Sequence, residues 1–350
     1  MSEMTPSRIR VQLRQLAVVA GVAAVLAAIF NLLTSAATVH EAIQGVVDAL
    51  LISALVGTYV IVLRDGWLRG WFRRLSFRVN LAISSAIVIG LFLIGRALGQ
   101  VLVTGQPGRF ARSFTDAHLL YALPFFVVLV VLFNFLLQMN RVIGTNVLRY
   151  FVAGVYHRPK AEERVFLFVD LEGSTMLGER LGSARYFDLL RRFVDDVSGP
   201  ILDACGDIYQ YAGDEIVVTW DLATGVRSAN CVRCFFGMRE TVAREASRYR
   251  REFGVVPAFR GGLHGGTVTA GELGDVRQQI VFVGDILNTA ARLEEYAKRV
   301  GLDLVISRDL LERLALPPGI TATPCGELGL RGKEAPVAAY GLTARAVARV

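Results

Sequence analysis

Cysteine is scarce, with four in 350 residues, and Cys205, Cys231, Cys234 and Cys325 all fall after the long apolar runs, in the part expected to be cytoplasmic, so a disulfide scaffold is not expected. Cys231 and Cys234 form a C-x-x-C, but inside "RSANCVRCFFGMRE", a helical pattern with no second ligand pair nearby. They read as two buried helix thiols. No internal repeat or low-complexity segment is present. Charge is missing from long stretches. Leu16–Ala36 and Leu119–Met139 have none, Ala42–Leu63 has only Asp48, and Val79–Thr104 has only Arg96. Each run reaches the ~20 residues that a helix needs to cross a bilayer. With 53% hydrophobic residues, the composition excludes an ordinary soluble chain. The first run is long and lacks a small-residue cleavage site, which argues against a removed signal peptide.

The expectation is a four-helix membrane domain over residues 1–139. Arginines set its orientation. Arg8, Arg10 and Arg14 precede the first run, and Arg64, Arg69, Arg73, Arg74 and Arg78 lie between the second and third. The other two loops hold Arg109 and Arg112. Both termini are therefore expected in the cytoplasm of a multi-pass plasma-membrane protein. These anchors account for much of the net charge of +7, so no nucleic-acid partner is inferred. Asp48 and Arg96 are expected at similar depth and facing each other, because unpaired charge in hydrocarbon is costly.

A linker over 140–163, punctuated by Gly144, Gly154 and Pro159, leads to a second domain over 164–345. There, strand-like and helical patterns alternate with hairpins. This predicts an α+β sheet with helices on one face. "AFRGGLHGGTVTAGELG" reads as two strands joined at glycines.

Three motifs carry chemistry. In "FVDLEGST", Asp170 ends an apolar strand, and Gly173, Ser174 and Thr175 open a helix whose free amides attract phosphate. Ser174 as a plain helix cap is the alternative. In "IYQYAGDEIVVTW", Asp214 sits on a turn between two strands. Beside the first strand it would join Asp170 at one end of the sheet, and two carboxylates there can hold two metal ions for phosphoryl chemistry. In "GDILNTAARLEE", Asn288 and Arg292 share a helix face and suit a charged transition state, although an ordinary solvated face with an Arg–Glu pair has the same pattern. Arg331 and Lys333 flank Gly332 on a further candidate phosphate turn.

In this order, "FVDLEGST", "YAGDE", "GGLHGGTVTAGELG", "VGDILNTAARLE" and "LRGKEAPVAAYGL" resemble the catalytic domain of class III nucleotide cyclases. The resemblance implies a ferredoxin-like core and a head-to-tail homodimer with sites between subunits. It implies two Mg2+ or Mn2+ per site on Asp170, Asp214 and the Leu171 carbonyl. Asn288 and Arg292 would come from the other subunit, and Arg331 or Lys333 would bind phosphate. The expected reaction is ATP to 3′,5′-cyclic AMP and pyrophosphate. Gln210 stands where many adenylyl cyclases have a base-reading Lys, and Val281 where they have its carboxylate or threonine partner. Neither matches the guanine-reading pattern. A guanylate cyclase using GTP, or a degenerate nucleotide-sensing module, are the alternatives. A diguanylate cyclase, suggested by "AGDE", is disfavoured by the Asn288/Arg292 helix.

Overall fold

The computed structural model describes residues 39–72, 75–108, 110, 123–124, 126–128, 130–132, 134–135, 138–139, 150, 153–276, 278–329 and 336–344. The chain divides into two compact units, Met1–Thr145 and Asn146–Val350.

The first unit contains helix α1 (Val39–Thr58), which runs on into a π-helical stretch at Tyr59–Trp67, and helix α2 (Phe77–Thr104). Ile43–Arg64 and Phe77–Thr104 are long and apolar enough to cross a membrane. They coincide with the second and third expected spans; the first span, and much of the fourth, lie outside the described residues. The two helices approach at small residues. A side chain at Gly95 would strike Ile52, and one at Gly99 would strike the Asp48 carboxylate. Asp48 accepts a hydrogen bond from Gln44 Nε2 at 2.9 Å and lies within the field of Arg96, one turn from Gly99.

The second unit is an eight-stranded sheet. Its strands are β1 (Lys160–Leu171), β2 (Asp207–Ala212), β3 (Glu215–Asp221), β4 (Phe259–Leu273), β5 (Gln279–Val283), β6 (Leu304–Ser307), β7 (Ile320–Leu328) and β8 (Val337–Ala344). The order is β2-β3-β1-β4-β6-β8-β7, with β5 paired to β4 off this path. Among the described residues only β4 and β6 pair in parallel. The longer helices are α3 (Ser174–Leu181), α4 (Ser183–Asp203), α5 (Asn230–Arg244), α6 (Ala246–Phe253) and α7 (Asp285–Val300).

Alternation along β1 decides what faces what. Val165, Leu167, Val169 and Leu171 enter one core with α4 and α5, which contribute Leu189, Phe193, Val197, Ile201, Phe235 and Met238. Phe166 and Phe168 enter a second core, with Val217, Phe282, Ile286 and Ala290. Helix α7 therefore lies on the opposite face from α4 and α5, which corrects the expectation of helices on one face. A second correction concerns "AFRGGLHGGTVTAGELG": Phe259–Leu273 is one strand, not two. Its glycines admit neighbours instead of turning the chain. A Cβ on Gly262 would collide with the Ala290 carbonyl and the Glu294 amide of α7, and one on Gly261 would meet Phe235 and Leu304.

Candidate active site

Asp170 is the next-to-last residue of β1, and alternation turns it to the α7 face. In the antiparallel β1–β3 ladder Val169 stands opposite Ile216. The β2–β3 turn at Gly213-Asp214 is thus carried to the same end of the sheet. Gly213 has φ +69°, the left-handed backbone that such a two-residue turn requires. Asp214 and Asp170 come close enough that Asp214 raises the Asp170 pKa. Burial is the larger cause of that rise, and Lys298 opposes it. Asp170 Oδ1 and Asp214 Oδ2 are both buried with no hydrogen-bond partner. Leu171 buries its side chain in the first core, which leaves its main chain at the rim.

The turn after β1 continues into α3. Gly173 is the N-cap, at φ +63°, and Ser174 is already the first helical residue, so Ser174 does not act as the cap. Leu171, Glu172, Gly173, Ser174 and Thr175 line an open cavity of about 360 Å³ together with Lys298. Glu172 is tied to Arg260 on β4, and Arg260 donates to Asp303 at 2.6 Å. Arg239 also pairs with Asp303. The turn is thus braced from outside the cavity.

Helix α7 presents two different faces. Ile286, Ala290, Leu293, Glu294 and Ala297 form its buried stripe. Lys298 pairs with Asp170, and its Nζ lies 3.4 Å from Glu294 Oε1. Burial and the nearby carboxylates push Glu294 up to about 7, against the pull of Lys298. Glu215 is also raised, by burial first and then by Asp170 and Asp214. Burial disfavours the Lys298 ammonium, yet Asp170 and Glu294 outweigh it and lift its pKa. Asn288 and Arg292 lie on the exposed side of the helix, and Arg292 donates to Glu295 at 2.7 Å. Within one chain, then, Arg292 makes the solvated pair, and Asn288 and Arg292 do not join the Asp170 cluster.

Gln210 is exposed on β2, and Val281 is half-buried on β5. Their chain neighbours Tyr209 and Phe282 pack ring to ring, with centroids 5.1 Å apart. Arg331 and Lys333 lie outside the described residues. Cys231 and Cys234 are buried free thiols on α5, as their pattern suggested. Burial drives the Cys231 thiol up to about 12, far from a reactive thiolate or zinc ligand.

Lys298, Glu294 and Glu215, with the Glu172–Arg260–Asp303 brace, are what sequence reasoning missed. One signal was available. Glu294 falls on the apolar stripe of α7, four residues from Ala290, and a carboxylate on such a stripe needs a reason.

No protein-family model matches the chain. Adenylate cyclase 2 of Rhizobium meliloti (strain 1021) is 36% identical over 286 residues, covering 78% of this chain and 77% of that protein. The chain belongs to the class III adenylate cyclases. The adenylate cyclase of Anabaena cylindrica is 24% identical to this cyclase over 51% of its chain and 36% of its own. A solved bacterial light-regulated adenylyl cyclase, 16% identical, superposes with a TM-score of 0.56 over 66% of this chain and 67% of that one, a likeness of fold.

The donors present fit divalent cations. Among the described residues no three His, Cys, Asp or Glu side chains converge as a closed metal cage. Two carboxylates with unpartnered buried oxygens leave coordination positions for water and phosphate, the arrangement that suits Mg2+.

Proposed function

We propose that the protein converts ATP to 3′,5′-cyclic AMP and pyrophosphate as a homodimer, for intracellular signalling. The observation that carries this reading is that Asp170 neighbours Asp214 and pairs with Lys298, which lines a cavity walled by the Gly173–Thr175 helix start. Asp170, Asp214 and the Leu171 carbonyl would hold two Mg2+ or Mn2+, which neutralise the triphosphate and favour the ionised 3′-hydroxyl. The α3 amides at Gly173, Ser174 and Thr175 grip phosphate oxygens. Arg331 or Lys333 adds a cation to the same phosphates. Asn288 and Arg292, exposed and turned from their own carboxylates, serve the site of a second copy and stabilise charge in the transition state. Gln210 and Val281 face the purine.

Four membrane spans would anchor the enzyme in the plasma membrane, with both termini and the sheet unit in the cytoplasm. Two spans among the described residues and the arginine asymmetry support this topology.

The first test supplies purified full-length protein with Mn2+ or Mg2+ and ATP or GTP separately, and identifies the products. Cyclic AMP is expected to dominate. Cyclic GMP, a cyclic dinucleotide or no product would select one of the alternatives. The second test mixes Asp170→Ala with Arg292→Ala. Each homodimer should be nearly silent, because every site lacks one part. A heterodimer carries one intact site, so activity should return to about half of wild type per heterodimer. Co-assembly, shown by pull-down on a tag, without recovered activity would place the whole site in one chain.

A further inference from the structure

We infer that Lys298 is a placeholder: its ammonium holds Asp170 in the cation-free enzyme and moves to the triphosphate when divalent cations take the carboxylates. This rests on the two-cation reading above and assigns a new phosphate contact within it.

The geometry gives Lys298 both ends of that motion. Its Nζ is on Asp170 and 3.4 Å from Glu294 Oε1, and its side chain also lines the cavity with Gly173, Ser174 and Thr175. The side chain is 33% exposed, so its head is free to swing on a four-carbon stem. Lys298 is the cation that acts on Asp170, Glu215 and Glu294 together. One ammonium does not satisfy this cluster, since Asp170 Oδ1 and Asp214 Oδ2 remain buried without hydrogen-bond partners. Divalent cations on Asp170 would repel an ammonium from the same carboxylate. The nearest new anion is then the substrate's phosphate, held across the cavity by the α3 amides. Arg260 is a contrast. Glu172 and Asp303 hold it from two sides, and it does not line the cavity.

The test needs no turnover. Full-length protein in detergent is titrated with Mn2+ by electron paramagnetic resonance, without nucleotide, and then with pyrophosphate by calorimetry at saturating Mn2+. Lys298→Met should bind Mn2+ about two- to fivefold more tightly, because a competing ion pair is gone. The same variant should bind pyrophosphate about tenfold more weakly, because a charge-assisted contact is gone. Lys298→Arg should bind pyrophosphate within about twofold of wild type. A structural role alone cannot move the two affinities in opposite directions. Lys298→Gln, closer in polarity, repeats the comparison if the methionine variant misfolds. Unchanged or weaker Mn2+ binding, or unchanged pyrophosphate binding, overturns the proposal. Wild-type protein that binds neither ion removes the two-cation reading itself, whereas wild-type binding with no difference in the variants removes only the role of Lys298.

Discussion

The two units bury opposite kinds of side chain among their described residues. In the helical unit the buried positions of α2 are Ser84, Ser85, Gly95, Ala97 and Gly99, while Leu50, Val79, Ile94 and Leu102 are exposed. In the sheet unit the buried side chains are Trp220, Phe166, Phe193, Phe235 and their neighbours. The first arrangement runs against what water favours, because burying apolar surface is what drives folding in water. In lipid, small residues at helix contacts and large apolar ones outside are what packing selects. Among its described residues the sheet unit departs from its own rule most heavily where Asp170, Glu215 and Glu294 gather around Lys298, with Asp214 beside Asp170. That exception is where chemistry is expected.

The largest effect should come from attacking the exception. Asp170→Ala and Asp214→Ala should each lower turnover by about three orders of magnitude, since each removes a charge-stabilising contact worth about 4 kcal/mol. Asp214→Asn should be equally silent yet raise the melting temperature, because it removes a carboxylate charge that faces the half-buried Asp170. Calorimetry and cyclic-nucleotide assays on the same preparations check both halves. A variant that loses activity and stability together would make Asp214 a structural residue.

The next test compares two exposed apolar residues, one from each unit. Ile94 is 43% exposed on α2 and Leu273 is 62% exposed at the end of β4. Ile94→Asp should cost about 3 kcal/mol of membrane insertion and shift protein out of the membrane fraction. Leu273→Asp, at the more exposed position, should change stability by less than about 0.5 kcal/mol. Equal tolerance at both positions would end the lipid interpretation of the helical unit.

Much of the sheet unit was legible in the sequence, because its cues are local. Asp170 at a strand end, Gly213-Asp214 on a hairpin and the strand-to-helix passage at Gly284 follow from period and turn chemistry. Long-range packing was not legible. The glycines of β4 look like a turn in sequence, yet Gly261 and Gly262 are there because Phe235 and α7 pass over the strand. Pairing of Lys298 with Asp170 likewise depends on where α7 crosses the sheet, which no local pattern states. Asn288 and Arg292 were legible as a shared helix face, but their partner is not in the same chain on the reading proposed here.

Gly262→Ala tests that packing with a smaller effect. The added methyl meets main-chain atoms of α7, which cannot rotate away, so overpacking should cost about 2 kcal/mol. Because α7 carries both Lys298 and Arg292, activity should fall as well. A melting temperature unchanged from wild type would mean that α7 adjusts its height freely over the sheet.

The smallest effect concerns the base. Tyr209 and Phe282, the chain neighbours of Gln210 and Val281, have ring centroids 5.1 Å apart, so β2 and β5 approach each other beside these two positions. An amide offers one donor and one acceptor and can flip between them. Gln210 can therefore match the adenine edge, which donates from N6 and accepts at N1, and by flipping the guanine edge, which accepts at O6 and donates from N1. Val281 offers no polar atom to break that tie. Wild type should thus prefer ATP over GTP by only a modest margin, enough for cyclic AMP to dominate but open to sharpening. Gln210→Lys with Val281→Asp removes the ambiguity, because lysine only donates and the carboxylate only accepts. Guanine would then set O6 against a carboxylate and N1–H against an ammonium, a repulsion as well as a lost contact. The ATP-to-GTP ratio of kcat/KM should rise about tenfold in the double variant, and less in either single one. An unmoved ratio in the double variant, with turnover retained, would mean that these two positions do not read the base.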